Sequence, residues 1–231
     1  MNIESQYLVK DPAATGFLDN AQLDTGLAAM LGDPKGIDAH VAPDVQSAHI
    51  TLKDAAKKIA ALVGDPTRTE VQKHAAAKQL AEKVTNHLEK SKAALEAHAE
   101  KLKASALAQA DLHLGPSSDR SALHSEIRSW VREQAKTPEG LLQVKQAMAD
   151  NDDVAAILWH SPSFLVGLAP SVHEGLRLEA LQSRKPDLYT SLSNSVGLSK
   201  LAGKYEAAIR KVAPSFYTPS LAEQASKRVE I

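Results

Sequence analysis

The chain has 231 residues, enough for one large or two small domains, and 43% of them are apolar while only 4% are aromatic. Its 27 basic and 28 acidic side chains leave a formal charge of -1, so bulk electrostatics favour neither a nucleic-acid binder nor a membrane-surface protein. Cysteine is absent, which excludes disulfides, thiolate zinc sites and cysteine nucleophiles.

Residues 1–47 carry seven acids against two lysines and are punctuated by Asp11-Pro12, Asp33-Pro34 and Pro43-Asp44. They are expected to form an extended acidic arm, with one short helix between Leu18 and Leu31 from the spacing of Leu23, Leu27 and Leu31. Met1 to Tyr7 lacks the basic start and apolar run of a secretory signal. No apolar run approaches the roughly 20 residues of a membrane span. Cytoplasmic synthesis is the expectation.

From Ala48 to Val63, Leu52, Ala55, Ala56, Ile59, Leu62 and Val63 recur at intervals of three and four, which predicts a helix with one buried face. Gly64-Asp65-Pro66 then turns the chain back. Between Thr67 and Leu114 there are 48 residues without glycine or proline, the signature of one helix about 70 Å long at about 1.5 Å per residue. Thr67-Arg68-Thr69-Glu70 fits a capping box at its start. Val84, Leu88, Leu95 and Leu102 form a heptad-like stripe, but Ala81, Ser91, His98 and Ser105 dilute it too far for a free-standing coiled coil. So long a helix needs partners along its flanks, from this chain or from another subunit. Residues 48–114 are therefore a long-helix hairpin.

After Gly115-Pro116 the texture changes to shorter helices, expected to pack as a compact bundle over residues 119–213. Leu123, Ile127, Trp130 and Val131 mark one helix from about Asp119 to Lys136. Thr137-Pro138 supplies an N-cap and first-turn proline for the next. Asn151-Asp152-Asp153 caps a short helix through Trp159. Ser171-Val172-His173-Glu174 reads as a second capping box, opening a helix through about Arg184. Leu188 and Leu192 predict another turn or two, and Leu201, Tyr205, Ile209 and Val212 a final helix before Pro214. Residues 214–231 form a tail with Phe216 and Tyr217. The fold class is thus all-α: a long-helix hairpin, a bundle of shorter helices, an extended arm and a carboxy-terminal tail.

Motifs that carry chemistry are incomplete. His173-Glu174-Gly175-Leu176-Arg177 begins like the zinc-protease helix, but Arg177 stands where the second imidazole belongs. Gly197 to Lys204 resembles a phosphate-binding loop only loosely, with Tyr205 in place of the required Ser or Thr and no preceding strand. Nine histidines are scattered without a pair three or four residues apart on one helix. No catalytic, cofactor-binding or metal-binding residues are assigned, and no cofactor is expected. Small basic clusters flanked by acids leave nucleic acid an unexpected partner.

The apolar connection Ser161-Pro162-Ser163-Phe164-Leu165-Val166-Gly167-Leu168-Ala169-Pro170 is a different signal, because connections are ordinarily polar. It either plugs the bundle core or offers Phe164, Leu165 and Leu168 to a protein partner, and Phe216 and Tyr217 form a second candidate contact. The run Asp153 to Leu158, Ser161-Pro162 and Phe164-Leu165-Val166-Gly167-Leu168 resembles uncharacterised helical proteins of tailed bacteriophages and prophages. In those an Ala-rich long helix precedes a segment of the type Ile-Leu-x-x-Pro-x-Phe-Leu-x-Gly-Leu. The likeness covers about Ala48 to Lys185 in texture and about sixteen residues in motif. It implies a protein of phage particles or phage assembly and carries over no catalytic residue. The leading expectation is a non-enzymatic structural or assembly protein that self-associates or binds a protein partner and is incorporated in a virion. A soluble helical regulator of a host protein is the alternative, and an enzyme with a dispersed site the third.

Overall fold

A computed structural model describes residues 6–225, in which ten α-helices and no strand are found. They divide into two compact units. Unit 1 takes the chain up to His98 and again from Gly197, and unit 2 is the continuous segment Ala99–Val196. The chain passes from one to the other inside helices, not through linkers.

Unit 1 begins with α1 (Pro12–Gln22) and α2 (Asp24–Leu31), where an extended arm with one short helix was expected. The turn signals there have a second physical reading that prevails: Asp11 is an N-cap accepting from the Ala13 and Ala14 amides, and Pro12 is the first helical residue. Phe17, Leu18, Leu27 and Leu31 are buried, so these helices belong to the core. Buried Tyr7 donates its hydroxyl to Asp19 (2.6 Å) and accepts from Gln22 (2.7 Å); burial and the Asp19 charge push the phenol up to about 12. The start at Met1 and the end of the tail, residues 1–5 and 226–231, lie outside the described residues.

Helix α3 (Ala42–Val63) starts six residues before the expected Ala48 and buries Leu52, Ala55, Ala56 and Ile59 as its periodicity predicts, while Leu62 and Val63 at its end are half-buried. It returns into α4 (Glu70–His113), the long helix. The capping box sits two residues later than expected: Thr69 and Gln72 exchange side-chain bonds with each other's amides, while Asp65 caps the turn by accepting from the Thr67 amide and hydroxyl. The hairpin is antiparallel, with Lys73 Nζ on the Val63 carbonyl, Ser47 Oγ 3.0 Å from His87 Nε2, and Ser91 Oγ donating to the Asp44 carbonyl. Ser91, one of the residues that dilute the apolar stripe, therefore holds α3 in register.

Within unit 1, the flank of α4 that α3 leaves open is met by another helix of this same chain. Helix α9 (Pro186–Phe216) is one 31-residue helix where two were expected, and its unit 1 half runs antiparallel to α4. Lys92 faces Glu206 at 3.7 Å, and Ala81, Glu82 and Thr85 border a shallow cleft with Ala213 and Tyr217. A last helix, α10 (Pro219–Gln224), buries Ala222.

Between α9 and α10, the Thr218 amide donates to His74 Nδ1 at 3.0 Å, which fixes a neutral ring carrying its proton on Nε2. Burial holds His74 below the usual imidazole pKa, as it does His49 and His173. Above the ordinary value of 6.5 both folded and unfolded rings are neutral. As pH falls below it, the unfolded chain takes up protons that the folded chain refuses, so stability declines until the folded pKa values are reached. The melting midpoint should drop between about pH 7.5 and about pH 5.5. His74→Asn, whose Oδ1 can stand where Nδ1 stood, should flatten part of that slope; equal slopes in the two proteins would assign it to other groups.

Unit 2 packs α5 (Ser121–Gln134), α6 (Pro138–Asp150) and α8 (Pro170–Arg184) around α7 (Asp152–His160). Every residue of α7 from Asp153 to Trp159 is buried, as suits a helix apolar on all sides. Thr137 caps α6 through the Gly140 amide and Asn151 caps α7, both as expected. The second capping box does not form: α8 starts at Pro170 without a side-chain cap, and Glu174 instead pairs with Arg177 at 3.1 Å. Arg177 lies 4.6 Å over the Trp159 ring, whose Nε1 donates to Asp111 at 2.7 Å. Buried Asp153 is matched by Arg120 (2.8 Å) and His124 (3.2 Å). No helix among the described residues is long and apolar enough to cross a membrane.

Candidate functional site

The apolar connection from α7 to α8 is a built turn whose residues divide between two directions. Ser161 ends α7 by donating its amide to the Ile157 carbonyl, and Ser163–Leu165 makes a single tight helical turn. Val166 and Leu168 are buried in the unit 2 core, whereas Phe164 is 74% exposed and Leu165 is 38% exposed. Two bonds from the Arg132 guanidinium, from Nε at 3.2 Å and from a terminal nitrogen at 2.8 Å, hold the Leu165 carbonyl. Gly167 adopts φ +68, a conformation that L side chains avoid, and a Cβ there would come within 2.8 Å of Arg132 Cγ. The phenyl ring of Phe164 thus projects from a backbone fixed by a cation, a glycine and two core anchors.

Of the five residues assigned from sequence to partner contact, Phe164 and Leu165 share this exposed turn. Leu168 is one of its anchors. Phe216 is buried in unit 1, and Tyr217 is half-buried beside Ala81 and Thr85. Three of the assigned residues lie in unit 2 and two in unit 1.

The second feature was not assigned from sequence. Just before α3, Asp38 accepts the His40 amide at 2.9 Å, and His40 Nδ1 lies 2.9 Å from the same Oδ1. His98, from α4, places Nε2 3.1 Å from Asp38 Oδ2 and stacks its ring on that of His40, centroids 5.1 Å apart and planes 24° apart. The His40 amide bond, then the two imidazoles, hold the Asp38 carboxyl well below the usual carboxylate range. The only local signal was Asp-x-His at 38 and 40, since its third member lies 58 residues beyond His40.

A cleft of about 480 Å³ in unit 1 is lined by Asp24, Lys35, His49 and Lys53 among others. Three of its polar groups are already engaged: His49 Nε2 lies 2.9 Å from the Gly32 carbonyl, and Lys53 donates to Asp24 at 2.5 Å. In comparisons with known proteins, no family model, curated protein or solved structure matches the chain.

Proposed function

We propose that this chain is a structural or assembly protein that works by binding other proteins through the turn at Phe164, and that its setting is the tailed-phage particle or its assembly. The observation that carries the reading is the contrast within that turn. Gly167 and Leu168 are accounted for by folding, one by its backbone angle and the other by its burial. Phe164 is not, for it contributes nothing to the core while its backbone is held by Arg132.

A large aromatic side chain presented on a rigid backbone loses little conformational freedom when a partner covers it, the usual character of an interface anchor. Burying such a ring contributes about 1.5–3 kcal/mol, or roughly 10- to 100-fold in affinity. The motif that resembles phage proteins includes this same Phe-Leu-x-Gly-Leu stretch, which ties the setting to the surface. Its partner is accordingly a protein presenting an apolar pocket, either a second copy or a component of the particle.

Light scattering of the purified chain, alone and beside purified virion proteins, tests this. Phe164→Ser should weaken the association by about 10- to 100-fold and leave the urea midpoint unchanged. A chain that stays monomeric in both settings, or a variant that associates as well as the parent, would refute the reading.

A further inference from the structure

We infer that Asp38, His40 and His98 form a binding site for a divalent first-row metal ion, zinc in the first instance. The inference is independent of the Phe164 surface. One oxygen of Asp38, Nδ1 of His40 and Nε2 of His98 lie within 4.8 Å of one another. Zinc bonds of about 2.0–2.1 Å in a tetrahedral arrangement put neighbouring ligand atoms about 3.3 Å apart. His40 Nδ1 lies 2.9 Å from Oδ1 of Asp38 and His98 Nε2 lies 3.1 Å from Oδ2, so each imidazole faces its own carboxylate oxygen and a carboxylate between the two nitrogens needs only a small rotation to reach that spacing. Two imidazoles and a carboxylate are a donor set suited to borderline first-row cations, not to calcium or magnesium, which prefer all-oxygen shells.

Two further observations favour a cation over an ordinary ion pair. His98 Nε2 is buried from solvent, yet its approach to Asp38 lacks the alignment of a hydrogen bond, so this nitrogen stands without a well-made partner. Asp38 is oriented beforehand by the His40 amide, as metal-ligating carboxylates commonly are by their own hydrogen bonds. Exposure then rises across the set, from His98 at 13% to His40 at 77%, so a bound ion meets solvent on the His40 side. Three protein ligands with an open side match zinc sites that keep a water molecule as fourth ligand. Bound there, zinc would also staple the start of α3 to α4.

Calorimetric titration of the chelator-treated full chain with Zn²⁺, with Co²⁺ as a coloured substitute, tests the site. The expected result is binding of zinc that raises the melting midpoint, with cobalt giving visible d–d bands. Binding should fall in His40→Ala and Asp38→Asn by at least the roughly 10- to 100-fold that loss of an outer-shell partner costs. His40 is exposed, so its replacement leaves the fold intact; far-UV circular dichroism of both variants checks this. His113→Ala and His160→Ala, at exposed positions in unit 2, should bind as the parent does. No zinc binding, or binding equally strong in His40→Ala, overturns the assignment.

Discussion

Phe216→Ala is expected to lower the stability of unit 1 by about 3–5 kcal/mol, a large share of the roughly 5–15 kcal/mol that holds a domain folded. The side chain is 0% exposed at the last turn of α9, just before the amide that His74 accepts. Truncation there removes a full aromatic ring from a close-packed site that cannot collapse freely. The change should appear as a lower urea midpoint by far-UV circular dichroism. Removing residues 215–225 as well takes away Ala222 and the Thr218 amide, and should abolish the unit 1 transition. A loss of under about 1 kcal/mol on Phe216→Ala would mean that the tail is held far more loosely than its burial implies.

The second large effect concerns a corner between helices. Gly140 follows closely on Pro138 at the start of α6, and a Cβ built on it would overlap the Gln134 carbonyl oxygen and come 2.8 Å from its carbon. The obstacle is backbone at the end of α5, so no side chain can swing away to make room. Gly140→Ala should force the α5–α6 corner open at a cost of about 3 kcal/mol. The same construction recurs at Gly26 over Asn20 in the α1–α2 corner. Gly175→Ala provides the contrast, because a Cβ there meets nothing within 4 Å inside α8. It should stabilise by about 0.5–1 kcal/mol through helix propensity alone. Both tryptophans, Trp130 and Trp159, lie in unit 2, so their fluorescence during urea unfolding reads the two variants directly. Equal behaviour of Gly140→Ala and Gly175→Ala would show that the corner yields more easily than its geometry suggests.

Local signals carried the sequence reading where one helix or one cap decides the outcome. The periodicity of α3, the glycine-free run of α4, Thr137-Pro138 and Asn151 all act within a few residues of themselves. Asp11-Pro12 was visible but had two meanings, turn or cap, and the apolar residues after it decide between them only when a partner helix is known. Gly197 and Gly203 cost about 1 kcal/mol each in a helix, which argues for a break. Tertiary packing overrides that cost and α9 continues through both. Its antiparallel contact with α4 left no sign, since many apolar stripes fit one seam equally well. The same holds for Asp38 and His98, which meet only because the start of α3 is laid beside the second half of α4. At the Phe164 turn the composition announced something unusual, but which residues point inward was set by Arg132, far away in sequence.

Unit 2 is an unbroken stretch of chain, whereas unit 1 is assembled from two stretches with unit 2 between them. On the ribosome that order has a cost. Residues 12–98 emerge first but cannot complete their core until α9 and α10 arrive. At about 5–20 residues per second the wait is on the order of ten seconds, during which the face of α4 that α9 will cover stays open. Unit 2 can close in that interval. Residues 12–98, made before unit 2, are therefore native only after it, and it is this stretch that a nascent-chain chaperone would need to guard.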